Sequence, residues 1–159
     1  MTQIVIDTSL GLIKLMFENQ QLVRVEQSQS KQRSGHIPQD VLQPVIDCIE
    51  GRRDGLEIPV KLEGSAFQLK VWEAMRLVPP GEVISYSELA KRAGNVRATR
   101  AVALACGQNP CAIVVPCHRI VRQDRRLGGF FWGMASKKAL LEREGLRIQG
   151  DQIIDSHDP

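Results

Sequence analysis

The 159-residue chain has no apolar run near the roughly 20 residues that a membrane-spanning helix needs, so no membrane association is expected. Its first stretch, MTQIVIDTSLGLIKLMF, has neither a basic start ahead of a compact apolar block nor a small-residue cleavage site. It reads as strands rather than as a signal peptide, and a cytoplasmic, reducing compartment is the expectation. Cysteine is sparse, at Cys48, Cys106, Cys111 and Cys117, with no C-x-x-C pair. That spacing disfavours structural zinc, which uses close pairs, and in a reducing compartment the four read as thiols rather than a disulfide framework. No glycine-rich nucleotide loop, internal repeat or low-complexity segment is present.

Acidic residues are also nearly missing from one region. Between Lys91 and Arg126 stand eight basic side chains and one acidic one, Asp124. The segment is therefore +7, and with a chain total of +3 the remainder is −4. Such a stretch is either a solvated face or the footprint of a polyanion partner.

The pattern of the chain predicts an α/β (α+β) fold with a boundary between 1–62 and 63–159. The first part reads as an antiparallel sheet lobe: TQIVIDT, LIKLMF and LVRVE alternate with the turn segments SLG and ENQQ. Residues 27–38 read as a loop. QDVLQPVIDCIEG has helical spacing with Gly51 closing it, and Pro44 suggests a start near Asp40, where proline is tolerated in the first turn. GLEIPVKLEG reads as an extended connector.

The second part is expected to be mostly helical. SAFQLKVWEAMRLVP opens on a capping box from Ser65 to Gln68 and carries a stripe of Phe67, Val71, Ala74, Met75 and Val78. Two short helices follow, one starting near Ser85–Ser87 and ending at Gly94, the other spanning ATRAVALACGQN. They form a helix-turn-helix candidate or a plain helical hairpin; Arg92, Arg97 and Arg100 favour nucleic acid. AIVV then reads as a buried strand leading into Pro116-Cys117-His118-Arg119. MASKKALLEREG reads as an amphipathic helix capped by Gly145, and DQIIDSHDP as a frayed end.

Cys117 has three readings on chemistry alone: a zinc ligand, an inert buried thiol, or an activated thiolate. Activation needs a base or cation beside the thiol, because a free thiol is mostly protonated at neutral pH. Neighbours on a strand point to opposite faces, so His118 could serve Cys117 only across a bend or through a water, and Pro116 makes a bend plausible. Glu144 is a candidate third group to orient the histidine.

The run PCHRI, preceded by NP and by GEVISYSELA, resembles the O6-alkylguanine-DNA alkyltransferases, also called methylated-DNA–protein-cysteine methyltransferases. The resemblance runs without gaps from about Phe67 to Gly145. It implies direct DNA repair: the alkyl group of O6-alkylguanine, with O4-alkylthymine as a second substrate, passes irreversibly to Cys117. It implies His118 as the proton acceptor through a water, Glu144 as its partner, Tyr86 as a proton donor to the departing guanine, and Asn109 as a link to the cysteine segment. Arg100 would be the finger that replaces an extruded nucleotide. Ala98, Ala101 and Ala105 would let the helix approach the minor groove, with Ser87, Arg97 and Arg119 added to the DNA surface. Ile120, Phe130, Phe131 and Trp132 would form the substrate pocket. The implied partner is double-stranded DNA, the implied state a monomer, and neither metal nor cofactor is implied. The loop LGGFFWG departs from the family, which commonly has tyrosine at Phe130 and a small or basic residue at Phe131. The rival readings are an alkylguanine-binding protein that transfers nothing and a Cys-His hydrolase.

Overall fold

The computed structural model describes residues 1–154, which fall into two compact units. The first holds residues 1–63 together with 110–115; the second holds 64–109 and 116–154. Residues 110–115, which the sequence assigns to the second part, thus belong to the first unit.

In the first unit, β1 (Thr2–Thr8), β2 (Gly11–Glu18) and β3 (Gln21–Gln27) form an antiparallel meander, with β4 (Arg33–Ser34) on the far edge of β1. The β2–β3 hairpin turns through Asn19 and Gln20, both left-handed at φ 50° and 63°, the geometry that suits a two-residue turn between twisted strands. Ile13, Leu15 and Phe17 alternate along β2 and are buried, as the period of two demands. β4 lies inside the stretch expected to be a loop: Arg33 and Ser34 pair with Ile4 and Gln3.

Helix α1 (Gln39–Ile49) buries Leu42, Val45, Cys48 and Ile49. It starts at Gln39, so Pro44 is its sixth residue rather than a first-turn residue. The carbonyl of Asp40 therefore loses its i+4 donor, a cost the burial of the apolar face outweighs. Along β3, the connector adds one parallel bridge, Leu22 to Val60, and Cys111 adds another at Val25.

The segment Cys111–Val115 is buried as expected, but it is not a strand. Val115 donates its N–H to the Cys111 carbonyl at 2.8 Å, and Ile113 sits at φ 76°. A β-branched residue there is strained by about 1–3 kcal/mol, and its complete burial holds it in place. The chain thereby reverses direction just before Pro116.

In the second unit, α2 (Ala66–Arg76) starts with the expected capping box: Ser65 accepts from the Gln68 N–H, and Gln68 accepts from the Ser65 N–H. Its buried face is Val71, Trp72, Ala74 and Met75, whereas Phe67 is only half-buried. Then come β5 (Ile84–Ser85), α3 (Tyr86–Arg92) and α4 (Thr99–Gly107), with Gly94 left-handed at φ 91° after α3. Cys117–Arg119 forms a single 3-10 turn and runs into β6 (Ile120–Val121), which pairs parallel to β5. Helix α5 (Met134–Arg143) ends at Gly145, φ 98°, and leads to the hairpin of β7 (Arg147–Gln149) and β8 (Gln152–Ile154). Residues 152–154 are therefore ordered strand rather than frayed, with Ile153 buried against Val121, Leu127 and Leu141. Residues 155–159 of the expected frayed end lie outside the described residues.

Candidate active site

A cavity of about 420 Å³ in the second unit is lined by Tyr86, Ala103, Cys106, Gly107, Cys117, Gly129, Phe130 and Phe131. Four elements bring these side chains together: the start of α3, the last turns of α4, the 3-10 turn and the loop before α5. The 3-10 turn answers the objection that adjacent strand residues point apart, since Cys117 and His118 are on a tight turn, not a strand.

Behind the cavity lies a buried charged network. His118 is fully buried; its Nε2 is 3.1 Å from Glu144 Oε2, and its Nδ1 has no hydrogen-bond partner among the described residues. Burial pushes the His118 pKa down, against the raising effect of Glu144. The ring is then neutral at neutral pH, with Nε2–H donating to the carboxylate and Nδ1 left as an acceptor. Arg119 donates to the same carboxylate, Nη2 to Oε2 at 2.8 Å and Nε to Oε1 at 3.1 Å, and Nη1 to the Val78 carbonyl at 2.7 Å. Desolvation alone would raise the Glu144 pKa, but its hydrogen bonds to His118 and Arg119 win and bring it down to about 2. Arg119, expected on the DNA surface, is thus a buried structural partner of Glu144, only 3% exposed, and cannot reach a phosphate.

Cys117 is 4% exposed, and burial pushes its thiol up to about 11. A hydrogen bond from the Asn109 side chain and the charge of Lys137 oppose that rise. Asn109 follows α4, its backbone N–H on the Cys106 carbonyl at 3.3 Å, so it ties the end of that helix to the thiol. Tyr86 is pushed up to about 12, chiefly by burial, and is therefore a phenol, a proton donor, at neutral pH. Gly128 makes room for it: at φ 73°, a Cβ there would lie 3.1 Å from the Tyr86 hydroxyl.

Lys137 is the group that sequence reasoning missed. It is fully buried, donates to the Ile120 carbonyl at 2.7 Å and the Gly129 carbonyl at 3.2 Å, and lies 5.9 Å from the Tyr86 ring centroid. Burial brings its pKa down to about 8, while Cys117 and Cys106 pull it up. Its signal is a lysine in the helical stripe of Met134, Leu140 and Leu141, where the spacing calls for an apolar residue. Cys106 also lines the cavity, donates to Met75 Sδ at 3.5 Å, and is pushed up to about 12 by burial.

Two expected pocket residues are elsewhere. Ile120 is fully buried on β6, where its carbonyl holds Lys137, and Trp132 is buried under Phe131 rather than lining the cavity. Arg97, in the turn before α4, is exposed and Ala98 at its N-cap half-exposed; on α4 itself Arg100 and Ala101 are exposed, but Ala105 faces inward, its carbonyl accepting from Trp72 Nε1 at 2.9 Å. Ser87 is half-buried, its hydroxyl 3.0 Å from that of Ser85. Among the described residues, no group of three or more His, Cys, Asp or Glu is placed to hold a metal ion.

The model of the 6-O-methylguanine DNA methyltransferase DNA binding domain matches residues 66–146. The chain belongs to this family. A probable methylated-DNA–protein-cysteine methyltransferase of Acanthamoeba polyphaga mimivirus is 35% identical over 153 residues, covering 91% of this chain and 97% of that protein. The Escherichia coli bifunctional transcriptional activator/DNA repair enzyme Ada is 45% identical over 106 residues, covering 67% of this chain and 30% of Ada. The crystal structure of Mycobacterium tuberculosis OGT in complex with DNA superposes with a TM-score of 0.76 at 32% identity, covering 88% of this chain and 90% of that one. The chain spans about a third of the Ada proteins it matches and about half of the Haemophilus influenzae relative.

Proposed function

We propose that this alkyltransferase-family chain repairs DNA directly, moving the alkyl group of O6-alkylguanine onto Cys117 once per molecule. The observation that carries the reading is a cavity lined by both Cys117 and a protonated Tyr86, with His118, next to Cys117 on the same 3-10 turn, held by Glu144 at 3.1 Å. Cys117 gives its proton to Nδ1 of neutral His118 through a water, and Glu144 balances the imidazolium that forms. The thiolate attacks the alkyl carbon, the bond from that carbon to O6 breaks, and Tyr86 supplies a proton toward N3 of the departing guanine. Asn109 holds the thiol. A thioether carbon is a poor electrophile for water, so the acceptor is not regenerated and no cofactor is called for.

DNA is the partner in this reading, supported by the DNA complex of the M. tuberculosis relative and by exposed Arg97 just before α4 and exposed Arg100 on it. Ala98 and Ala101 would face the minor groove, Ser87 would contact the backbone, and Arg100 would fill the stack. Acceptor, proton relay and DNA-facing helix all lie in one unit of one chain, which suits a monomer. Among the described residues, no helix is long and apolar enough to cross a membrane, which suits a cytoplasmic protein. O4-alkylthymine is the second substrate. A binder without transfer is disfavoured because the acceptor thiol and its relay are all present.

Intact mass after incubation with an O6-methylguanine duplex tests this. One methylene mass per chain, mapped to Cys117 and lost in Cys117→Ser, is expected. Unchanged mass, an adduct on Cys106, or repeated turnover would overturn it.

A further inference from the structure

The turn between β6 and the aromatic loop carries three exposed arginines, Arg122, Arg125 and Arg126, that neither the core nor the proton relay uses. It is a tight hairpin: Arg125 N–H donates to the Arg122 carbonyl and Arg122 N–H to the Arg126 carbonyl, both at 2.9 Å. The β7–β8 hairpin fixes it from the other side. Ile153 N–H donates to the Arg125 carbonyl at 2.9 Å, and Leu127 N–H to the Asp151 carbonyl at 2.8 Å. The turn is therefore a rigid projection and not a loose loop.

Its tip is strained. Arg125 sits at φ 68°, where glycine would be relaxed and a long side chain is disfavoured. Arg122 and Arg126 reach Asp124 at 3.4 and 3.7 Å, and Arg126 reaches Asp151 at 3.7 Å. These exposed pairs are worth little and yield readily to a stronger anion. The Arg125 guanidinium has no ion pair or hydrogen bond among the described residues. A free cation on a strained, braced tip points outward to a partner.

The place of the turn says which partner. Gly128 lies against Tyr86 and the stem of Arg122 together: a Cβ there would lie 3.1 Å from the Tyr86 hydroxyl and 3.5 Å from Arg122 Cγ. The arginine turn therefore flanks the wall of the cavity that holds Tyr86. A nucleotide whose base enters that cavity carries its own phosphates past this edge.

We infer that the Arg122–Arg126 turn is a second nucleic-acid contact, separate from α4, which grips the phosphates beside the extruded nucleotide, with Arg125 as its tip. It rests on the DNA-repair reading above. It adds affinity without base specificity, since phosphate contacts position and do not read sequence.

Fluorescence anisotropy on an O6-methylguanine duplex over a salt series tests it. Each lost phosphate contact lowers the log–log salt slope by roughly 0.9. Arg125→Gly should flatten the slope by about one such step, and Arg122→Ala with Arg125→Gly by about two. Reaction with free O6-methylguanine should be unchanged, and the melting temperature of Arg125→Gly no lower than that of Arg125→Ala, because glycine relieves the tip. Lys31→Ala, an exposed cation of the first unit, should leave the slope alone. Wild-type slope in both arginine variants, or an equal change in Lys31→Ala, would overturn the inference while leaving the repair reading intact. A wild type with no salt-dependent DNA binding would overturn both.

Discussion

The back and the mouth of the cavity are built on opposite principles. At the back, His118, Arg119, Glu144 and Lys137 are buried charged or titratable groups, each held by partners at 2.7–3.1 Å. At the mouth, Phe130, Phe131 and Trp132 touch ring to ring, with centroids 5.5–6.3 Å apart, and Phe131 is 48% exposed. The back is directional: a buried charge left unpartnered is costly, so each side chain has one workable arrangement. The mouth is held by contact area, which tolerates many shapes of similar volume. Changes at the back should therefore move proton chemistry and stability, and changes at the mouth should move the choice of substrate.

Glu144→Gln should give the largest effect. It leaves the buried Arg119 guanidinium without its carboxylate, and breaking such a pair costs about 3–5 kcal/mol. The pH dependence follows with a definite sign. Glu144 and His118 both have folded pKa values below their ordinary 4.5 and 6.5. Both therefore contribute stability that is full above the unfolded values and is lost as pH falls, first below 6.5 through His118 and then from 4.5 toward about 2 through Glu144. Urea denaturation from pH 7 to pH 3 should show the wild type losing stability across both windows. The Gln variant, weaker throughout, should lose only the His118 part. A variant with wild-type stability and acid profile would show that the carboxylate is no keystone of the back wall.

Lys137→Met comes next. It keeps the volume of the side chain but removes the donor to the Ile120 and Gly129 carbonyls and the cation that opposes the rise of the Cys117 thiol. The buried Ile120 carbonyl left unpaired costs on the order of 1–3 kcal/mol, while the exposed Gly129 carbonyl can turn to water. The pH profile of iodoacetamide labelling at Cys117 should also move to higher pH, because a nearby cation favours the thiolate. Lys137→Arg should recover part of the labelling shift. A fall in stability with an unmoved labelling profile would make the lysine a strut of the loop and nothing more.

The same contrast explains what the sequence made legible. The β1–β2–β3 meander, the Ser65 capping box, the two short helices and the PCHR run follow local rules of alternation, capping and motif, so they were readable. The position of Arg119 was not, because an arginine in a basic segment looks like surface until the buried Glu144 is brought to it from 25 positions away. Lys137 was hidden in an apparently amphipathic helix, although the break it makes in the apolar stripe was visible. Residues 112–115, AIVV, spell a strand because Ile and Val favour strands. The packing that forces Ile113 into the left-handed region is not a local signal. Trp132 and Phe131 stand side by side in the chain, and nothing local says which one turns inward.

That last distinction yields the smallest expected effect. Phe131 lines the cavity and is half-exposed, whereas Trp132 is buried at its edge, the rings meeting at 84° with centroids 6.2 Å apart. Phe131 is therefore the ring a substrate meets, and Trp132 is the support that keeps it there. An aromatic wall attracts flat apolar groups, but its volume also narrows the entrance. In a mouth with two rings already on its wall, exclusion should dominate, so O6-methylguanine in DNA should react well and free O6-benzylguanine poorly. Phe131→Ser removes the exposed ring and keeps the backbone, widening the mouth without touching the back wall. One ring's contacts are worth on the order of 1–3 kcal/mol, so the benzyl-to-methyl rate ratio should rise about tenfold or more. The labelling pH profile should stay at the wild-type position, because no group of the relay has moved. A ratio that does not change would show the ring to be loop packing, and a shifted labelling profile would show that mouth and back are coupled after all.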